Sequence, residues 1–222
     1  MPITLRSPAM SLSRRAILPL MAALGLSAVP FGARAQDAGS VPVEELMAAE
    51  ALPDVVLGKA DAPVTIVEYA SMTCTHCAAF HAETYPTLKS KYIDTGKVRF
   101  ILREFPLDPL ATAGFMLARC AGEDKRTAMV DLLFDQQKNW AFVDKPLEAL
   151  QNLVKQTGMS QETFEACLDN QKLYDQVNEV RDRASQKFGV AATPTFFVNG
   201  VRHAGEMTPD ELDKAIAPFL KS

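Results

Sequence analysis

Apolar positions along the chain change period several times, and each change marks an element. Val64-Thr65-Ile66-Val67-Glu68-Tyr69 is a β-branched run suited to a buried strand. Val98 to Phe105 predicts a second strand, with Phe100 and Leu102 alternating with charged Arg99 and Arg103. Between them, Cys74 to Ile93 predicts one helix whose apolar or small face is Cys77, Phe80, Thr84, Leu88 and Tyr92, kinked at Pro86. Val43 to Leu52 predicts a short helix stopped by Pro53. From Leu110 to about Phe188 the pattern is helical throughout, interrupted at Gly122, Pro146 and Gly158. Two strands follow, Thr195 to Val198 and Val201 to His203, joined by Asn199-Gly200, a strong hairpin signal. A last helix opens on Thr208, Pro209 and Glu211, a capping box with proline in the first turn, and runs to about Leu220. The order is βαβ, helical block, ββα, an α/β fold with an inserted all-helical subdomain.

The first 35 residues fall outside that pattern. They contain no Asp or Glu, carry Arg14-Arg15 ahead of an apolar stretch from Ala16 to Phe31, and end in Ala33-Arg34-Ala35. This is the layout of a cleaved export signal with an A-x-A site, and its stretch is short for a membrane span. Ser13-Arg14-Arg15 also resembles a twin-arginine export signal, so either export route fits. The chain divides into residues 1–35 as export signal, 36–53 as a lead, 54–106 as the first α/β half, 107–189 as the helical insertion and 190–222 as the second half.

Composition then narrows the function classes. The chain has 222 residues, 48% of them apolar, which excludes collagenous and disordered readings. Its formal charge is -4, and cleavage after Ala35 would leave 187 residues carrying -8. Such a surface disfavours binding to nucleic acid. Four cysteines are too few to build a disulfide miniprotein and a chain of this length does not need them for a core, so they require another explanation.

Cys74-Thr75-His76-Cys77 supplies one, because it follows a strand and opens a helix. A thiolate at Cys74 would meet the free N–H groups and positive dipole end of the helix. Cys77, one turn on, faces back toward Cys74. A c-type haem would need His after Cys77, where Ala78 stands. A zinc site from Cys74, Cys77 and His81 would still lack a fourth ligand. Glu68, at the end of its strand, is a candidate acid for proton exchange with Cys77, its carboxyl raised by partial desolvation. Met72 and His203 are weaker candidates for the rim of a groove. Cys120 and Cys167 lie in the helical block. A structural disulfide closing about 48 residues is the simplest account of them, and free buried cysteines are the alternative.

Strand, C-x-x-C helix, strand, long insertion and then Thr193-Pro194-Thr195 resembles the thioredoxin fold of the DsbA-like exported thiol:disulfide oxidoreductases, over residues 54 to 221. The resemblance implies a cis proline at Pro194 beside the active cysteines. It also implies that Thr193 pairs its backbone with a bound substrate chain and that Thr75 belongs to the substrate-binding surface. His76 matches the family's C-P-H-C pattern, and an acid stands at the family's place at Glu68. A second bridge such as Cys120 with Cys167 resembles one alphaproteobacterial group. Thr75 departs from the usual proline and Thr193 from the frequent valine, which leaves redox poise and partner choice open. The implied activity is introduction of disulfides into reduced folding proteins in the periplasm, by a monomer using no cofactor and no metal and reoxidised by a quinone-linked membrane oxidase. An isomerase or reductase of the same fold, and a non-catalytic chaperone-like or metal-binding protein, are the alternatives.

Overall fold

The computed structural model describes residues 39–220. The expected export signal, residues 1–35, lies outside the described residues, and among those described no helix is long and apolar enough to cross a membrane.

A five-stranded sheet runs in the order β1-β3-β2-β4-β5. Its strands are β1 (Val56–Leu57), β2 (Val64–Ala70), β3 (Val98–Glu104), β4 (Thr195–Val198) and β5 (Val201–Ala204). Among the described residues only β2 and β3 pair in parallel. All seven residues of β2 are buried, so its sequence is a continuous β-branched run without alternation. The hairpin turn places Asn199 and Gly200 at φ 44° and 84°, and a Cβ on Gly200 would lie 2.0 Å from the Val41 carbonyl oxygen.

The single helix expected over 74–93 is three pieces: α2 (Thr75–Glu83), α3 (Tyr85–Leu88) and a π-helical turn, Lys89–Ile93. The break falls at Thr84, ahead of Pro86, because the proline ring cannot tolerate the carbonyl four residues earlier. Thr84 Oγ1 donates to the Met207 carbonyl at 2.8 Å, fixing the bend to the loop before α10 (Pro209–Ile216). α10 opens on the expected Thr208/Glu211 capping box but stops at Ile216, with a 3-10 turn over Ala217–Phe219.

Six helices fill the stretch between β3 and β4. They are α4 (Pro109–Cys120), α5 (Glu123–Asp135), α6 (Gln137–Trp140), α7 (Pro146–Lys155), α8 (Gln161–Leu168) and α9 (Gln171–Phe188). α4 is their hub, packing against α5, α7, α8 and α9. A disulfide joins Cys120 at the end of α4 to Cys167 in α8.

Two features depart from the periodicity. α1 spans only Val43–Leu46, because the carbonyls that would continue it are taken by arginines. Arg103 Nη1 donates to the Leu46 carbonyl at 2.8 Å, and Arg183 donates to those of Glu45, Ala48 and Ala49. Arg103 therefore does not alternate outward. It is 1% exposed and also holds Glu50 at 2.9 Å, Asp54 at 2.8 Å and the Tyr69 hydroxyl at 3.0 Å. The edge strand β1, at two residues, is too short to leave a periodic signal.

Replacing Arg103 with Met leaves the buried Glu50 carboxylate with Arg183 alone and takes from Asp54 its guanidinium partner, and should cost about 1–3 kcal/mol in denaturant unfolding. Replacing Cys120 and Cys167 together with Ala reopens a 47-residue separation and should cost up to ~4 kcal/mol by the same measurement.

Candidate active site

The turn after β2 delivers Cys74 to the N-cap of α2 in extended conformation. Its amide donates to the Ser71 carbonyl at 3.1 Å and its carbonyl accepts from Ala78 N at 3.2 Å. The helical block holds this turn from behind. Gln137 of α6, 2% exposed, donates through Nε2 to the carbonyls of Met72 and Cys74, both at 2.9 Å. Thr73 Oγ1 donates to Asp108, the residue that caps α4. Met72 is fully buried against Gly114, where an added Cβ would lie 3.1 Å from its Cγ.

From the far side of the sheet comes the segment leading into β4. Its Thr193-Pro194 peptide is cis, and the Thr193 carbonyl accepts from Cys74 Sγ at 3.3 Å. Thr193 Oγ1 is buried without a hydrogen-bond partner in that thiol state. Once Cys74 is a thiolate, this hydroxyl is a donor for it.

Both active-turn cysteines are free thiols, and their environments drive them apart. Cys74 is lowered from 9.0 to about 5, chiefly by a hydrogen bond from Cys77, which with those from the Thr193 side chain and the Cys77 and His76 amides outweighs burial. Cys77 is fully buried, and that burial, then the hydrogen bond its thiol donates to Cys74, then the charge of Glu68 push its thiol far up.

The other expected site residues divide. Thr75 is exposed in the first turn of α2. His76 is exposed at the mouth, where its Nδ1 meets Glu206 Oε2 at 3.0 Å, and that contact foremost raises the imidazole. Glu68 lies inside β2 rather than at its end, facing Leu102 and Phe196 in the ladder, fully buried. Its Oε2 pairs with His81 Nε2 at 3.1 Å, and the His81 ring stacks on Phe134 at 4.3 Å. His81 thus partners a carboxylate instead of completing a Cys-His metal site, and among the described residues no group of three or more His, Cys, Asp or Glu is placed to hold a metal. His203 sits on β5 opposite Phe196, its imidazole lowered by burial. Among the described residues no hydrogen bond joins it to the cysteines.

A five-stranded mixed sheet, a C-x-x-C pair at a helix N-terminus and a cis Thr193-Pro194 peptide whose carbonyl meets the outer sulfur come together. The family model described as Thioredoxin matches residues 50–217. The chain belongs to the thioredoxin family. Within that family it is similar to DsbA proteins. Wolbachia pipientis alpha-DsbA1 superposes with a TM-score of 0.72 at 32% identity, over 79% of this chain and 94% of that one. BdbD of Bacillus subtilis gives 0.65 at 26% identity, over 83% and 98%. By sequence, a chain named as a protein-disulfide oxidoreductase in Rickettsia conorii is 38% identical, over 76% of this chain but 61% of its own length. Disulfide bond formation protein D of Bacillus subtilis is 31% identical, over 75% of this chain and 77% of its own. The chain thus spans about three fifths of the rickettsial relative.

Gln137 and Glu206 were not visible in the sequence, since each reaches the site across a loop of no set spacing. His81 had a signal, standing four residues after Cys77 on the same helical face.

Titrating the reduced protein by thiolate ultraviolet absorbance should give a single transition with a midpoint near 5 from Cys74. A depressed folded value stabilises the reduced form at pH above the ordinary thiol range, and that stability is lost as pH falls through about 5. The unfolding free energy of reduced relative to oxidised protein should therefore rise between about pH 5 and pH 9.

Proposed function

We propose that this chain is an exported protein disulfide oxidoreductase that passes the Cys74–Cys77 disulfide to reduced proteins. The observation that carries the reading is the asymmetry of the two sulfurs: Cys74 is an acidic thiol near 5 and Cys77 a buried thiol pushed up. A substrate thiolate attacks Cys74 Sγ of the oxidised enzyme, the Cys74–Cys77 bond breaks, and Cys77 leaves with the electron pair and takes a proton. The substrate's second thiolate then attacks its own sulfur in the mixed disulfide and expels Cys74 as a stable thiolate. The substrate loses two electrons and the enzyme gains them. Names of relatives, protein-disulfide oxidoreductase and disulfide bond formation protein D, support this direction.

In the same reading, Thr193 and Pro194 line the place where a substrate chain lies against Cys74, with Thr75 exposed beside it. His76, held by Glu206, adds positive charge at the mouth, and Glu68 manages the Cys77 proton. The substrates are reduced, folding exported proteins, met outside the cytoplasm after residues 1–35 direct export by the general or twin-arginine route. A Cys120–Cys167 bridge is at home in the oxidising periplasm. The enzyme works as a monomer without a cofactor, and a quinone-linked membrane oxidase withdraws the electrons.

Oxidised protein should accelerate refolding of a reduced, denatured substrate, and Cys74→Ser should abolish the acceleration. The Cys74–Cys77 couple should be more oxidising than thioredoxin, at about -270 mV. A potential at or below that figure would make the chain a reductant and overturn the reading.

A further inference from the structure

Cys77 poses a proton problem that the outer sulfur does not. When the Cys74–Cys77 bond opens, Cys77 departs into a fully buried site beside the charge of Glu68, with solvent excluded. Glu68 is itself fully buried, and its neighbour His81 is 6% exposed at the side chain. Each keeps one polar atom without a hydrogen-bond partner among the described residues, Glu68 Oε1 and His81 Nδ1. Beyond His81 lies a cleft of about 190 Å³ lined by Ala78, His81, Ala82, Tyr85, Asp131 and Asp135.

We infer that His81 is the proton relay of the buried sulfur, linking Cys77 through Glu68 to the cleft at Asp131 and Asp135. The inference rests on the disulfide-exchange reading above and names the route that reading needs. Water admitted from the cleft gives one proton to the buried His81 Nδ1, Nε2 passes one to Glu68 across the 3.1 Å contact, and the Glu68 carboxyl gives one to the departing Cys77 sulfur. Cys77 ends as a thiol, while Glu68 and His81 return to their starting charges. Reoxidation runs the same path outward.

Charged and titratable groups facing His81 are consistent with that traffic. Glu68 approaches from β2 and Cys77 precedes it on α2. The Tyr85 ring of α3 lies 4.9 Å away. α5 contributes Asp131 and Asp135 at the cleft, and Arg126 with Asp131 in a smaller adjoining cavity that His81 also lines. Burial raises the Asp131 carboxyl, while the charges of His81 and Lys89 oppose this. Phe134 stacks on the ring and holds it in place. Histidine is the side chain suited to such a relay near neutral pH.

The test is quenched-flow reduction of the oxidised full chain by dithiothreitol, read by alkylation and mass across about pH 5 to 8, where an imidazole changes charge. His81→Gln keeps a hydrogen-bond donor for Glu68 but cannot carry a proton, and should slow reduction about 100-fold, as loss of a positioned acid–base group does. His81→Ala should be slow in the same way and be rescued by added imidazole, which leaves the unaltered protein unaffected. In both variants the Cys74 titration should keep its midpoint near 5, showing an intact turn. Wild-type rates in His81→Gln, or slow reduction without imidazole rescue, would overturn the relay. If the unaltered protein is reduced by dithiothreitol yet fails to oxidise a reduced substrate, the oxidase reading falls while the His81 comparison still decides the relay.

Discussion

A sulfur at the start of one helix meets the backbone of a residue 119 positions further along the chain, and the site depends on that contact. Cys74 supplies the helix N-terminus and Thr193 supplies the cis peptide and the side chain opposite. Cys77 and the amides of α2 do most to make Cys74 acidic, and the Thr193 side chain adds to it from the other half. β2 and β4 are neighbours in the sheet, with Tyr69 opposite Thr195, so the turn after one and the segment before the other emerge at the same edge. The sheet order is therefore what brings the two halves of the site together. Burial of every residue of β2 on both faces suits it to the centre of the sheet, between β3 and β4.

The helical block acts on the site as a clamp more than as a lining. Gln137 occupies the carbonyls of Met72 and Cys74, Asp108 holds Thr73, and Gly114 leaves room only for Met72. Opposite, buried charge ties the block to the sheet: Glu104 at the end of β3 accepts from Arg119 of α4 and Arg126 of α5, at 2.8 and 2.7 Å. Such pairs contribute little net stability against apolar replacements but penalise any arrangement that leaves one partner alone. They specify how the block sits, and with it the geometry of the active turn.

Much of this was legible along the chain because it is local. The β-branched run of β2, the Asn199-Gly200 turn and the Thr208 capping box each depend on neighbouring residues, and each is where the pattern puts it. What was not legible is set by distant partners. Arg103 reads as an outward charge until Glu50 and Asp54 fold over it, and α1 stops early for the same reason. The break at Thr84 follows from Pro86, but its place is set by the Met207 carbonyl. At the site, the C-x-x-C pair announces itself by spacing. Gln137 and Glu206 have no such spacing, and the burial of Glu68 depends on which strands flank it.

The two departures from the family's usual residues can be weighed by what they touch. Thr75 is exposed in the first turn of α2 and, unlike a proline, keeps its backbone N–H there. Thr193 acts on the sulfur itself, since its side chain is among the groups that lower Cys74. A valine there would pack as well but could donate nothing to the thiolate. Stabilising the thiolate stabilises the reduced enzyme, and a more stable reduced state makes the disulfide a stronger oxidant. Cys77 does not cancel this gain: being a thiol at neutral pH in folded and unfolded chains alike, its raised value has no linkage there. In the proposed oxidase, the threonine before the cis proline therefore favours handing the disulfide away, and the cost of that choice falls on the buried sulfur, which would need a proton each time the bond opens.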